Sequence, residues 1–131
     1  MLFKLTIQPR VSETDGMGHI NNTCVPVWLE AGRENIFRIF NPDLSFADWR
    51  CVVVNLNIDY IKEIFYGREV EVHTWVKHIG NSSFILEEEL YQSGELCAKG
   101  TATYVNFNKK IRKTEPIPFN IRQELEEHKR E

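Results

Sequence analysis

The residues best suited to chemistry lie together at positions 10–22, in the segment Arg-Val-Ser-Glu-Thr-Asp-Gly-Met-Gly-His-Ile-Asn-Asn. This segment holds a carboxylate, Asp15, and an imidazole, His19, just before a pattern typical of a helix. The N-terminus of a helix presents unpaired backbone N–H groups and the positive end of the helix dipole. A carboxylate that faces such donors can act on a carbonyl group that the donors polarise. The segment therefore predicts a site for attack on a carbonyl carbon.

Residues 23–40 predict one long helix after this segment, and Asn41-Pro42 is its stop signal. We expect Thr23 or a neighbouring asparagine to cap it, because Pro26 is tolerated in a first turn. A narrow charged stripe at spacings i, i+3, i+4 and i+8 consists of Glu30, Arg33, Glu34 and Arg38. The other positions are mostly apolar, so we expect the helix to be largely enclosed by the rest of the fold.

Alternation of polar and apolar residues predicts strands on both sides of the helix. They cover residues 2–9 before it and about 52–60, 70–77, 83–91 and 96–107 after it. Turn signals separate the later strands, so an antiparallel sheet is expected, and a short polar helix at about 120–129 ends the chain. A sheet of long strands and one very apolar helix fit together economically if the sheet curls around the helix.

The composition indicates one ordinary globular domain. The 131 residues are 42% hydrophobic and 27% charged, as in ordinary soluble proteins. The net charge is −3, and the Lys and Arg residues form no basic stripe that would suggest binding of nucleic acid. No apolar run reaches the roughly 18–20 residues of a membrane span, and no signal peptide is evident. Three dispersed cysteines, Cys24, Cys51 and Cys97, favour reduced thiols in a cytoplasmic protein.

Two neighbouring motifs resemble those of the 4-hydroxybenzoyl-CoA thioesterase-like family, which consists of acyl-CoA thioesterases with the hotdog fold. They are Thr-Asp-Gly-Met-Gly-His-Ile-Asn-Asn at 14–22 and Trp-Leu-Glu-Ala-Gly-Arg at 28–33. Residues 59–64, Gly67 and 79–83 are also similar to later family segments, and the resemblance extends to about Phe107. The chain departs from the family in the first helical turn, which lacks the usual tyrosine. It departs again at Lys62-Glu63-Ile64, where a proline is common.

The resemblance implies a single hotdog domain over residues 1–131, with an antiparallel five- or six-stranded sheet wrapped around a long central helix. It implies hydrolysis of an acyl thioester of CoA or of acyl carrier protein. No metal and no cofactor is expected, and the CoA thioester is the substrate. Relatives join their sheets edge to edge, and an exposed edge strand independently favours a homodimer or homotetramer.

The resemblance also assigns roles to individual residues. Asp15 is the nucleophile or the general base, His19 supports it, and a backbone N–H near Asn22 stabilises the oxyanion. The substrate-binding positions are Gly18, Asn21, Asn81, Ser82 and Ser83.

Several alternatives stay open from the sequence. Asp15 could simply form an Asx turn, and His19 could simply brace the loop. Glu30 is a second candidate carboxylate, and Cys24 is a rival nucleophile without a partner spacing to support it. Candidates for contact with CoA phosphates, or for plain surface positions, are Lys62, Arg68, Lys77 and His78. A hydratase or dehydratase of the same fold would carry Asp-x-Asn-Pro-x-His, which this chain lacks, and a non-catalytic acyl-CoA-binding domain is the remaining alternative.

Overall fold

The computed structural model describes residues 1–130, and one antiparallel sheet forms its framework. Its strands are β1 (Phe3–Ile7), β2 (Cys51–Tyr60), β3 (Val70–Ile79), β4 (Ser83–Gln92), β5 (Glu95–Asn108) and β6 (Lys113–Thr114). Their order is β1-β3-β4-β5-β2, with β6 paired to β5. The helices are α1 (Cys24–Ala31), α2 (Glu34–Phe40) and α3 (Phe119–Glu126). The predicted curled sheet with a helix packed against it is confirmed, and no described helix is long and apolar enough to cross a membrane.

The prediction of one continuous helix over 23–40 is wrong, because the helix breaks at Gly32 and Arg33. A Cβ atom on Gly32 would lie 2.6 Å from Val72 Cγ1 and 3.0 Å from Thr74 Oγ1. Only glycine allows the chain to approach β3 this closely, and glycine is also a poor helix former. Close packing against the sheet therefore favours the break.

Arg33 is buried in the core, so the predicted exposed stripe does not include it. Its Nε donates to Glu88 Oε1 at 2.8 Å, and its Nη1 donates to the Tyr104 hydroxyl at 3.0 Å. Thr74 Oγ1 donates to the other Glu88 oxygen at 2.7 Å. Burial of a charged group costs free energy unless the group is paired and hydrogen-bonded, and these contacts meet that requirement for Arg33 and Glu88. Of the expected stripe, Glu34 and Arg38 keep an exposed ion pair at 3.5 Å.

The helix pair is enclosed on one side only, which corrects the expectation of a largely enclosed helix. Val25, Trp28 and Leu29 of α1 are buried against the sheet. The opposite flank is open, since Val27 is 64% exposed and Ala31 is also exposed. The single chain thus leaves an apolar helix face uncovered.

Residues 61–69 connect β2 to β3, which lie apart in the sheet, so this connection is not a hairpin. It is fixed by Gln92, whose Nε2 donates to the carbonyls of Phe65 and Arg68 and whose Oε1 accepts from the Phe65 amide. It also runs beside the 10–22 segment, because the Ile20 amide donates to the Ile64 carbonyl at 2.7 Å. The crossover connection therefore helps to position the residues that the sequence singles out.

Smaller differences occur near the C-terminus. The sheet has six strands, one of the two predicted sizes, but the position of β6, which pairs Thr114 with Phe107, is not among the predicted strands. The last helix starts at Phe119 and ends at Glu126, three residues before the expected end. Neither difference affects the 10–22 segment.

Candidate active site

A cleft of about 640 Å³ opens where the 10–22 segment meets the start of α1. One wall is formed by Asp15, His19, Ile20, Asn21, Asn22 and Val25, and the other by residues 60–64. The structure thus brings together Asp15, His19 and Asn22, the three residues assigned to chemistry, and adds the β2–β3 connection as the opposing wall.

Glu13 ties the segment to α1. Its carboxylate accepts from the Arg10 amide at 2.7 Å, from Arg10 Nη2 at 3.2 Å and from Trp28 Nε1 at 2.9 Å. The hydrogen bond from the Arg10 side chain is the main cause that lowers the pKa of Glu13 below its ordinary value. Sequence analysis missed this residue, although an acid three residues into a helical turn is a known capping signal.

The loop that carries Asp15 is closed on itself. The Asp15 amide donates to the His19 carbonyl at 2.9 Å, and Gly16 and Gly18 take φ values of +87° and +86°. Such values belong to the left-handed region that glycine enters at little cost. Asp15 Oδ1 accepts from the Met17 amide at 2.9 Å, so the residue does form an Asx turn. Its other oxygen, Oδ2, lies 4.0 Å from His19 Nδ1.

His19 is held by the connection across the cleft. Its Nε2 lies 3.2 Å from Glu63 Oε2, and the edge of its ring meets Phe65 with 5.0 Å between ring centroids. Its backbone also bridges to Phe65 in an antiparallel pair. The imidazole therefore stands between two carboxylates, of which sequence analysis identified only Asp15.

The side chain of Asn21 closes the turn that leads into α1, whose N-cap residue Thr23 makes no side-chain cap hydrogen bond. Asn21 Oδ1 accepts from the Thr23 amide at 3.0 Å and from Thr23 Oγ1 at 2.9 Å. The Asn22 carbonyl accepts from the Tyr60 hydroxyl at 2.9 Å, which joins the end of β2 to the helix start. Within residues 1–130, the Asn22 amide N–H has no acceptor. It is thus a backbone donor available at the cleft.

Asn81, Ser82 and Ser83 lie at the end of the sheet away from this cleft. The cleft adjoins the Gln92 end of β4, and Ser83 is at the other end, about 30 Å along a strand of this length. The amide of Asn106 donates to the Ser82 carbonyl there. One chain alone does not bring these three residues to Asp15, and their role in binding stays a prediction.

The rival candidate residues are placed differently. Cys24 packs against the core, its Sγ lies 3.6 Å from the Glu13 carbonyl oxygen, and burial raises the pKa of its thiol. Burial also raises the pKa of Cys51, to about 12. Glu30 is exposed on the open flank of α1, outside the cleft. Neither the thiols nor Glu30 forms a catalytic arrangement with a second polar group in the described part of the chain.

A second groove, of about 570 Å³, lies between the open flank of the helices and β2. It is mainly apolar and aromatic, and its walls include Val27, Phe37, Leu44, Phe46, Trp49, Val53 and Tyr104. In the described residues, no three His, Cys, Asp or Glu side chains converge as a possible metal site. The absence of a required metal or cofactor remains a prediction.

Comparison with known proteins identifies the class. The curled sheet with a helix packed against it is the hotdog fold of thioester hydrolases, and a family model described as the thioesterase-like superfamily matches residues 9–125. The chain belongs to this superfamily.

Individual relatives agree with this class. The chain is 31% identical to "Putative acyl-CoA thioesterase YneP" of Bacillus subtilis (strain 168), over 88% of this chain and 86% of the relative. The solved structure of a predicted thioesterase from Bacillus stearothermophilus has a TM-score of 0.97 at 52% identity, covering 100% of this chain and 98% of that one. A thioesterase from Thermus thermophilus, solved with coenzyme A and Zn, has a TM-score of 0.84 at 27% identity, covering 95% and 92%.

Proposed function

We propose that this protein hydrolyses acyl-coenzyme A to a free acid and coenzyme A in the cleft at the start of α1. The observation that carries this proposal is the presence of Asp15 and the unpaired Asn22 amide on the same cleft of a thioesterase-superfamily chain, within its described residues. The acyl-CoA name of the B. subtilis relative and the coenzyme A bound to the T. thermophilus structure support this carrier. Acyl carrier protein is the alternative carrier, and it is the one named for a Cuphea viscosissima hydrolase that is 27% identical over 28% of its own length.

The residues divide the reaction between them. Asp15 either attacks the thioester carbonyl itself or takes a proton from a water that attacks it. The carbonyl oxygen becomes an oxyanion, which the Asn22 N–H stabilises at the positive end of α1. If Asp15 attacks, the carbon–sulfur bond breaks to leave an acyl anhydride on Asp15, the thiolate takes a proton from solvent, and water then hydrolyses the anhydride to the free acid and the Asp15 carboxylate. If water attacks, it adds before the carbon–sulfur bond breaks, and Asp15 passes the proton it has taken to the departing thiolate. His19, 4.0 Å from Asp15, supports the carboxylate during these steps.

We also propose that two copies join through β2. This strand is an edge of the sheet, and several apolar side chains on it are exposed in the single chain: Val52, Val53, Val54, Leu56 and Tyr60. Such an edge is a liability unless another strand pairs with it. Further association of two dimers into a tetramer fits the same expectation.

This pairing supports a location for the acyl group. Antiparallel pairing of two β2 strands brings the Tyr60 end of one strand beside the Cys51 end of the other. Tyr60 lines the cleft, whereas Cys51 and Val53 line the apolar groove. We therefore propose that the groove of one copy receives the acyl chain of a thioester held in the cleft of the other. Three free cysteines support the further expectation of a cytoplasmic protein.

The test is Asp15→Asn, assayed by thiol release from a panel of straight-chain and aromatic acyl-CoA thioesters. Asparagine retains the side-chain acceptor of the Asx turn, so the fold is expected to be preserved. We expect kcat to fall by about 10³-fold, in the range that proton transfer by one side chain contributes.

The matched control is Asp43→Asn, because Asp43 is exposed and its carboxylate also accepts from the backbone amide two residues later. Its turnover should equal that of the wild type. Unchanged turnover in Asp15→Asn would remove Asp15 from the reaction, and failure of the wild-type protein to cleave any thioester of the panel would refute the proposed function.

A further inference from the structure

The geometry points to Glu63 as a positioning residue that holds the His19 ring with Nδ1 turned toward Asp15. This inference rests on the proposed function of the cleft. It concerns a residue that does not touch the reacting atoms and acts through His19.

Three contacts from the β2–β3 connection determine the orientation of the ring. Glu63 Oε2 lies 3.2 Å from Nε2, Phe65 packs its ring against the imidazole, and the His19 backbone is paired with Phe65. On the other side, Nδ1 lies 4.0 Å from Asp15 Oδ2. In the described part of the chain, His19 is the one side chain within ion-pair distance of the Glu63 carboxylate.

The chemistry of the carboxylate selects one tautomer of the neutral ring. An ionised carboxylate only accepts hydrogen bonds, and Glu63 lies closer to Nε2, at 3.2 Å, than Asp15 lies to Nδ1, at 4.0 Å. We therefore expect Nε2 to carry the hydrogen and Nδ1 to keep its lone pair. Two acceptors, Nδ1 and Asp15 Oδ2, then face each other across 4.0 Å. A single water can span such a gap by donating one hydrogen to each acceptor. Glu63 thereby makes this place a site for the water that Asp15 activates.

The opposite tautomer would have the reverse effect. With its hydrogen on Nδ1, the ring would donate toward the Asp15 carboxylate and compete with the water for it. Loss of Glu63 removes the acceptor that prevents this arrangement. The expected consequence is a lower kcat with little change in KM, since the altered step is activation of water and not the binding of thioester.

Glu63 contributes little to stability, which makes the test clean. Its side chain is 66% exposed, and an exposed ion pair is screened by solvent. We therefore expect Glu63→Gln and Glu63→Ala to unfold at the same denaturant concentration as the wild type.

The first measurement is the tautomer of His19 by nitrogen-15 NMR, at a pH where the ring is neutral. Its signal is identified by its absence in His19→Ala. The wild type should show the hydrogen on Nε2, and Glu63→Ala should show a mixture of the two tautomers. The control is Glu69→Gln, an exposed carboxylate of the same connection that contacts Gln8 and should leave the His19 signal unchanged. A wild-type ring with its hydrogen on Nδ1, or an unchanged signal in Glu63→Ala, would overturn the inference.

The second measurement is a double-mutant cycle on turnover of acyl-CoA. Glu63→Ala should lower kcat about tenfold, the usual cost of losing a residue that orients a working histidine, and Glu63→Asp should restore part of it. In the His19→Ala background, Glu63→Ala should have no further effect, because Glu63 acts through the ring. A full additional loss in that background would show that Glu63 acts elsewhere and would overturn the inference.

The two proposals fail in distinguishable ways. If the wild type cleaves thioesters and Asp15→Asn abolishes cleavage, but Glu63→Ala keeps the wild-type kcat, only the role of Glu63 is refuted. If the wild type cleaves none of the thioesters, the proposed function is refuted. The NMR measurement then still tests whether Glu63 determines the tautomer of His19.

Discussion

Arg33, which lies in the break between α1 and α2, donates from Nε to Glu88 Oε1 at 2.8 Å inside the core. The pair joins the helix layer to the middle of the sheet, and the Tyr104 and Thr74 hydroxyls complete its hydrogen bonds. Burial raises the pKa of Glu88, an effect that its hydrogen bonds to Arg33 and Thr74 oppose. The helix break and the buried ion pair are thus parts of one arrangement.

Glu88→Ala should therefore be strongly destabilising. It leaves the Arg33 guanidinium buried without its counter-charge, and such a loss costs about 3–5 kcal/mol of unfolding free energy. Denaturant unfolding measures this cost. Glu34→Ala removes an exposed pair with Arg38 and should cost at most about 0.5 kcal/mol. The double variant Arg33→Met/Glu88→Leu should recover most of the loss, and a double variant no more stable than Glu88→Ala would contradict this explanation.

Glu13 should make the free energy of unfolding depend on pH at acidic pH. Its pKa in the folded protein is lowered from an ordinary value of 4.5, chiefly by the hydrogen bond from the Arg10 side chain. Between the two pKa values, the unfolded chain binds more protons than the folded one. The stabilisation by ionised Glu13 is therefore fully present above pH 4.5 and is lost as the pH falls through the lower pKa of the folded protein. Between about pH 6 and about pH 3, Glu13→Gln should lose less unfolding free energy than the wild type. Glu126→Gln, an exposed carboxylate paired with Lys129, should retain the wild-type slope; equal slopes for all three proteins would contradict the role of Glu13.

The main chain at Asn22 should matter more than its side chain. Asn22→Ala keeps the amide N–H and should change kcat by no more than about threefold, whereas Asn22→Pro removes the donor and should lower kcat by about 10²–10³. Thr23→Pro is the control for a proline in this turn, because the Thr23 φ of −68° suits proline. It removes the hydrogen bond from the Thr23 amide to Asn21 Oδ1 but leaves the Asn22 N–H in place, so it should lower kcat far less than Asn22→Pro. Circular dichroism verifies the fold of each variant. Equal losses in Asn22→Ala and Asn22→Pro would assign the oxyanion contact to the side chain.

Leu56→Lys should separate the proposed dimer and abolish turnover together. Leu56 is 45% exposed on β2 in the single chain, so the folded monomer tolerates a charge there, but a paired edge does not. Sedimentation velocity measures the change in mass. Ile111→Lys places the same charge at a similarly exposed residue outside β2 and should leave assembly intact. A Leu56→Lys protein that assembles like the wild type would exclude β2 as the interface.

Sequence reasoning succeeds where the relevant signals are local. A glycine-containing loop before a helix start indicates Asp15 and His19, the family resemblance adds Asn22, and all three line one cleft. The strands follow from alternation, and the turns at 80–81 and 93–94 fall between the observed strands. These features depend on residues within about ten positions of each other, so the pattern itself contains them.

Sequence reasoning fails where contact partners are distant along the chain. Spacing alone assigned Arg33 to a solvated stripe, but its partner is 55 residues away on β4. The break at Gly32 has the same origin, because it depends on the approach of β3. The periodicity of residues along a helix contains no information about which strand packs against that helix.

The sequence by itself determined the strand and turn pattern and the loop that holds Asp15, because short-range periodicity and glycine chemistry encode them. The hotdog class came from the resemblance of the motifs at 14–22 and 28–33 to a known family. Only the tertiary structure decided that the β2–β3 connection crosses the end of the sheet, and that it places Glu63 at 3.2 Å from His19. The tertiary structure also brings the Tyr60 hydroxyl within hydrogen-bond distance of the Asn22 carbonyl and leaves one flank of α1 open beside β2. These contacts depend on which strands become neighbours, and that order is fixed by packing of the whole core, not by any one segment.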